Sequence, residues 1–297
     1  MPDFAKMREQ MEHGAGFIAA LDQSGGSTPK ALALYGVDAA EYDSEDAMFA
    51  EIQKMRARII LAPDFTGDKV IGAILFEKTL HEMIQGQSVP AYMWNVRGVV
   101  PLLKIDKGLQ ERSDDVQLLN PIPGLAEMLA EAKKLGVFGT KERSVIHGAN
   151  KGGIEAIVAN QMDVAHEVLA AGMVPIMEPE IDIHSATKAE AESMLVEALL
   201  KKVNTLDDGQ NVMLKVTLPD VPGTYDVLAD HPRVLRVVAL SGGYSTNDAS
   251  ARLAKNHKMI ASFSRALTEG LQREMSDTDF DAALGRNITT IYNASIA

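Results

Sequence analysis

The chain has 297 residues, 46% hydrophobic and 24% charged, an ordinary globular composition with ample core. Its net charge of −12 argues against a general nucleic-acid binder, and the lack of cysteine excludes a disulfide scaffold, a thiolate nucleophile and a cysteine-based zinc site. No apolar run approaches the ~18–20 residues of a membrane span, and the start, Met-Pro-Asp-Phe-Ala-Lys, lacks a basic region followed by an apolar one, so a soluble cytoplasmic protein is expected.

Taken in chain order, short apolar runs alternate with amphipathic stretches. The run Gly14–Asp22 predicts a first strand. The connection from Gln23 to Val70 holds a helix over Asp46–Ile60, with Met48, Ile52, Met55 and Ile59 at three- and four-residue steps, and reads as an insertion near a site. Strands are predicted at Ile71–Glu77 and Gly98–Ile105. A helix over Leu125–Leu135 ends at Gly136, followed by the run Val137–His147; a helix over Ile154–Ala171 ends at Gly172, followed by Met173–Glu180. Thr187 and Glu190 stand at capping-box spacing before a helix to Val203. Strands at Val212–Leu218, Val234–Ser241 and Met259–Phe263 alternate with helices at Asn247–Lys255, Arg265–Met275 and Asp279–Asn293. The Val-, Ile- and Leu-rich runs do not alternate strictly, as suits parallel strands buried on both faces. Eight such units predict an α/β fold, a single (β/α)8 TIM barrel spanning residues 1–297. No Gly-x-Gly-x-x-Gly follows the first strand, which counts against a dinucleotide-binding sheet.

In such a barrel, chemistry sits at the C-terminal ends of the strands. Lys215 is the most telling residue there, a lysine inside Val-Met-Leu-Lys-Val-Thr. Desolvation disfavours the charged amine, and a neutral amine is what Schiff-base formation on a carbonyl requires. An edge lysine snorkelling to solvent would look the same in isolation. Glu178 and Glu180 in Ile-Met-Glu-Pro-Glu-Ile point to one face of a strand, so their repulsion should raise one pKa and suit it to proton transfer. Asp22 closes an apolar strand before Gln-Ser-Gly-Gly-Ser, where Ser24, Ser27 and backbone amides can face an oxyanion. Lys104, and the pair Lys141 and Arg143, supply cations. Ser241-Gly242-Gly243 and Arg265 follow the seventh and eighth strands, where barrels often hold phosphate. The seven histidines form no metal-binding spacing, so no metal or other cofactor is expected.

These motifs together resemble the class I, Schiff-base-forming fructose-bisphosphate aldolases, especially their short bacterial branch. The likeness rests on Leu-Asp-Gln-Ser-Gly-Gly-Ser, Leu-Lys-Ile-Asp-Lys-Gly, Val-Pro-Ile-Met-Glu-Pro-Glu-Ile, Met-Leu-Lys-Val and Leu-Ser-Gly-Gly. It implies reversible cleavage of fructose 1,6-bisphosphate to dihydroxyacetone phosphate and glyceraldehyde 3-phosphate. Lys215 would match the Schiff-base lysine, Glu178 the proton shuttle, Glu180 its ordering neighbour, and Asp22 the group that takes the C4 hydroxyl proton. Lys141 and Arg143 would match the basic pair of Ala-Lys-Trp-Arg. Lys104 would match a lysine on the sugar and its distal phosphate. Ser24 and Ser27 would lie near the C6 phosphate, and Ser241, Gly242 and Arg265 would cradle the C1 phosphate.

The chain departs from the animal pattern at Gln23 (there Glu), Glu142 (there Trp) and Ser264 (there Gly). It ends at Ala297, with Tyr292 placed in the last helix, where animal members carry a C-terminal tyrosine that protonates the enamine; that role is left unassigned. A phosphosugar substrate is the partner expected, without nucleic acid or membrane, and a homo-oligomer is compatible. A different lysine-dependent aldolase, a sugar-phosphate isomerase or epimerase, and a non-catalytic phosphosugar-binding barrel are the competing readings.

Overall fold

Eight parallel strands follow one another around a ring in sequence order: β1 (Phe17–Leu21), β2 (Val70–Leu75), β3 (Val100–Lys104), β4 (Gly139–Ile146), β5 (Val174–Ile181), β6 (Val212–Thr217), β7 (Val234–Leu240) and β8 (Met259–Ala261). The computed structural model describes residues 3–297; Met1 and Pro2 lie outside the described residues. All eight predicted strands are present. Consecutive strands pair through backbone ladders, whereas β8 meets β1 through a single long bond from the Ala20 N–H to the Phe263 carbonyl, 3.4 Å.

The longer helices are α1 (Phe4–His13), α2 (Thr28–Leu34), α3 (Glu45–Leu61), α4 (Leu125–Lys134), α5 (Lys151–Ala170), α6 (Lys188–Val203), α7 (Thr246–Leu253) and α8 (Asp277–Ser295), beside single turns of helix at Val89–Tyr92, Asp226–Ala229 and Arg265–Thr268. Gly136 and Gly172 terminate α4 and α5 as expected. Each has positive φ (89° and 71°). In each case the glycine N–H and the next residue's N–H return to the last turn, at Lys133 and Ala132, and at Leu169 and Val168. These compact stops deliver the chain straight into β4 and β5, the two strands richest in charge.

Several local expectations are corrected. Thr187 precedes α6 but makes no capping box: its hydroxyl accepts from the Ala149 N–H at 2.9 Å, joining two loops instead. The helix expected over Arg265–Met275 stops at Thr268, because Gly270 takes φ 72° and the Arg273 N–H turns away to the Tyr35 carbonyl. The Gln23–Val70 insertion carries two helices, α2 and α3, rather than one. Helix α1 was not anticipated.

Its residues Met7 and Met11 plug the N-terminal mouth of the barrel, packed with Ile18, Ile74, Val100, Leu102, Ile176 and Val238. The plug is also tied by polar bonds. Gln10 Nε2 donates to the Ile71 and Gly98 carbonyls, both at 2.7 Å, and Arg236 donates to the Met11 and Gly14 carbonyls at 3.0 and 2.8 Å. The second, larger apolar layer lies between strands and helices. Apolar packing therefore dominates the lower barrel, and the charged side chains of the cavity gather at the C-terminal mouth.

Candidate active site

Strand period explains why the charged residues converge. In β4, Lys141 and Arg143 point inward; in β5, Val174 and Ile176 fill the core and Glu178 and Glu180 continue the same face upward. Register sets the heights: Lys141 lies beside Lys104 and Ile176, and Arg143 beside Glu178. Lys215 lies one strand further on.

These side chains form a connected network. The Lys215 Nζ lies 2.9 Å from Glu178 Oε1. Lys141 Nζ lies 3.1 Å from Glu178 Oε2 and 2.7 Å from Asp22 Oδ2. Lys104 Nζ donates to Asp106 Oδ1 at 2.7 Å, and the other Asp106 oxygen lies 3.8 Å from Lys141. Arg143 is paired with Glu180. Lys141 is 2% exposed, Glu178 3% and Lys215 4%, so these charges interact with little water between them.

Electrostatics corrects one expectation. Burial alone would raise the Glu178 carboxyl, but Lys141 and Lys215 outweigh it and hold Glu178 below its ordinary value. Its neighbour Glu180 is directed to Arg143, so the predicted repulsion between the two glutamates does not govern Glu178. Burial would likewise raise Asp22; Lys141, Lys215 and Lys104 instead hold it well below the carboxylate range. Burial would lower Lys141, and Asp22, Glu178 and Asp106 drive it above the usual lysine value. The resting site is thus a set of ionised groups in mutual compensation.

All the predicted site residues line one cavity of about 970 Å³ at the barrel mouth. Asp22, Lys104, Lys141, Arg143, Glu178, Glu180 and Lys215 form its floor and walls. Ser24 and Ser27 lie on a short turn beside α2, where the Ser27 hydroxyl accepts from the Ser24 N–H at 3.1 Å and donates to the Ser24 carbonyl at 3.0 Å. That hydroxyl therefore maintains the turn in this state. Across the mouth, Ser241, Gly242 and Arg265 form a second polar region. Gly242 has φ 61°, and a Cβ there would come within 2.7 Å of Ile183 Cγ2, so the loop geometry requires glycine.

Sequence reasoning missed three contributors. Asp106 follows Lys104 by two residues, the spacing that puts both on one face of an extended chain, and it links two lysines. Arg56 is 1% exposed; it donates to the Gln23 carbonyl and to Thr79 Oγ1, and burial pushes its guanidinium down to about 10. A charged residue directly after Met55 in an apolar helix stripe was its signal. Thr217 is the third. The β5–β6 ladder ends at Met177 and Leu214, just below Glu178 and Lys215. Above that opening, Thr217 Oγ1 donates to the Ile181 carbonyl at 2.8 Å and accepts from the Ile181 N–H at 2.9 Å, rejoining the strands. Nothing in the sequence marks that contact. Among the described residues, no cluster of three His, Asp or Glu side chains is disposed to hold a metal ion, and no helix is long and apolar enough to cross a membrane.

A lysine held on a glutamate deep in a barrel, between two polar ends of one cavity, fits the resemblance drawn from the motifs. The family model described as fructose-bisphosphate aldolase class-I matches residues 4–290. The chain belongs to the class-I fructose-bisphosphate aldolase family. It is similar to the fructose-bisphosphate aldolase class 1 of Synechocystis sp., 52% identical over 295 residues, covering 99% of this chain and 98% of that protein. It is also similar to the fructose-bisphosphate aldolase class 1 of Porphyromonas gingivalis, 49% identical over 288 residues, covering 97% and 98%. Among solved structures it is similar to the fructose-bisphosphate aldolase of Plasmodium falciparum, solved with TRAP and a small-molecule inhibitor. There the TM-score is 0.82 at 20% identity, over 99% of this chain and 94% of that one, a likeness of fold. The family reaction, aldol cleavage of fructose 1,6-bisphosphate through a lysine Schiff base, is the reaction of this enzyme.

Proposed function

We propose that Lys215 forms the Schiff base, with Glu178, Lys141 and Asp22 managing its protons. The observation that carries this assignment is the chain of contacts Lys215–Glu178–Lys141–Asp22, at 2.9, 3.1 and 2.7 Å, on the floor of the cavity. Glu178 takes a proton from Lys215 across their 2.9 Å ion pair, and the neutral amine attacks the C2 ketone. The carbinolamine nitrogen is uncharged, so one of the two cations that held Glu178 low is gone while its burial remains. Glu178 therefore stays protonated beside the carbinolamine and passes that proton to the hydroxyl as it departs, so that water leaves. The iminium accepts electron density as the C3–C4 bond breaks. Asp22, kept ionised by Lys141, takes the C4 hydroxyl proton, and glyceraldehyde 3-phosphate departs. Protonation of the enamine at C3 and hydrolysis of the imine then release dihydroxyacetone phosphate. Glu180 orders Arg143 at the rim.

Two polar regions across the cavity suit a substrate with phosphate at each end. Ser24, Ser27 and Lys104 serve the C6 phosphate, and Ser241, Gly242 and Arg265 serve the C1 phosphate, so remote binding energy positions the ketone over Lys215. The whole chain, 1–297, works as one barrel domain in this reading, without a cofactor, and a homo-oligomer is compatible with it. Its phosphorylated sugars are cytoplasmic metabolites, which makes the cytoplasm the proposed compartment.

Borohydride reduction with dihydroxyacetone phosphate in EDTA, followed by mass mapping, tests the assignment. The expected result is a single adduct on Lys215, lost in Lys215→Met. An adduct on another lysine would overturn the role of Lys215; turnover without any reducible imine would favour an isomerase-like, electrostatic lysine.

A further inference from the structure

The barrel seam is its least ladder-bonded junction, with one 3.4 Å backbone bond between β1 and β8. Just above it, Gln23 Nε2 donates to Ser264 Oγ at 2.7 Å. Gln23 is buried, and its position is fixed from behind: the buried Arg56 donates to its carbonyl, and its amide also approaches the Ala20 carbonyl at 3.4 Å. Gln23 follows Asp22, and Ser264 precedes Arg265. The bond therefore joins the strand end that carries the proposed proton acceptor to the strand end that carries the proposed phosphate-gripping arginine. Among the described residues Arg265 has no carboxylate partner, so no ion pair places its guanidinium. Its neighbour across the mouth is Gly243, where a Cβ would lie 3.6 Å from Arg265 Nη2. The backbone at Ser264 is what remains to set its height over the cavity.

We propose that Gln23 and Ser264 are positioning residues: their side-chain clasp closes the seam and holds Arg265 in register with Asp22 for binding the bisphosphate. This rests on the assignment of Arg265 to a substrate phosphate. The expected effect of Ser264→Ala or Gln23→Leu is a rise of about five- to thirty-fold in KM for fructose 1,6-bisphosphate, with kcat within about twofold, since a partly buried hydrogen bond is lost and its partner left unpaired. The double variant should be no worse than the worse single, the signature of one shared interaction. Ser264→Thr, which keeps the hydroxyl, should stay within about threefold of the parent.

Melting temperature and Arg265→Ala complete the test. A lowered melting temperature with unchanged KM in both single variants would make the clasp merely structural and overturn the proposal. Additive KM effects would overturn it too. Arg265→Ala should raise KM at least about tenfold. If it does while Ser264→Ala does not, the clasp fails and the arginine assignment stands. If Arg265→Ala leaves KM unchanged, the arginine assignment itself falls, and the clasp's role with it.

Discussion

Replacing Lys141 by methionine keeps the length of the side chain and removes the charge that three acids share. Its Nζ lies 2.7 Å from Asp22 and 3.1 Å from Glu178, with Asp106 at 3.8 Å, and the residue is 2% exposed. A unit-charge pair at ~4 Å is worth about 4 kcal/mol at an effective dielectric of ~20. Desolvation of the three groups takes back much of that in the intact network. Removing one partner of a buried pair leaves the others uncompensated, and such losses run at about 3–5 kcal/mol. At roughly 2 °C per kcal/mol for a chain of this size, the melting temperature should fall by about 6–10 °C at neutral pH.

The pH dependence carries the sign. Asp22 and Glu178 are held below their ordinary values, so in the parent their contribution is present above about pH 4 and is lost as pH falls through the depressed folded values. Lys141 is raised, so its own contribution is complete below about pH 10 and is lost only on further alkalinisation. In Lys141→Met the acid limb should therefore move to higher pH, and the gap to the parent should narrow below pH 4. Turnover should fall by about 10²-fold or more, as when a preorganised charge is removed from a dry site. Thermal melts from pH 3 to 9 with steady-state kinetics measure both effects. A variant melting within about 2 °C of the parent, with the same acid limb, would refute this account of the network.

Glu142 is fully buried on the outer face of β4 with both oxygens unpartnered, and burial, then the charge of Asp106, raises it well above its ordinary value. Its ionisation penalty grows as pH rises above about 4.5. Glu142→Gln should therefore melt at least about 2 °C higher at neutral pH, an advantage that vanishes below pH 4; equal melting curves across that range would show that the acid is not held neutral. Gly242→Ala meets Ile183 and a left-handed backbone, which together cost about 1–2 kcal/mol or more. Titration with fructose 1,6-bisphosphate should show KM raised about tenfold, and an unchanged KM would remove that loop from the phosphate site. Thr217→Val loses both bonds to Ile181 and lets the Lys215 and Glu178 strands part. The rate of imine formation should drop about tenfold or more, with Thr217→Ser restoring it; full activity in the valine variant would mean the strands stay aligned without that bridge.

The family's motifs and the alternation of strand and helix were legible in the sequence because they depend on local order. A lysine inside Val-Met-Leu-Lys-Val, two glutamates two apart, and glycines after apolar helices each express a rule of period, capping or desolvation that neighbouring residues alone enforce. The one-face spacing of Lys141 with Arg143, and of Glu178 with Glu180, also followed from pleat geometry. Helix α1 was missed because its apolar residues are few and its role, plugging the barrel floor, exists only once the ring is closed.

Partner choice belonged to the tertiary structure. With Glu180 facing Arg143 and Glu178 sitting between Lys141 and Lys215, Glu178 is held down although repulsion within the pair was expected to raise one of the two, since a carboxyl responds to the charges within a few ångströms, whatever their place in the chain. Arg56, Asp106, Thr217 and the bond from Gln23 to Ser264 likewise join segments far apart in sequence. Chain order determined which strand each side chain rides on and which face it takes; only closure of the barrel decided which charges meet, because ring geometry, rather than sequence distance, sets the separations on which their energies depend.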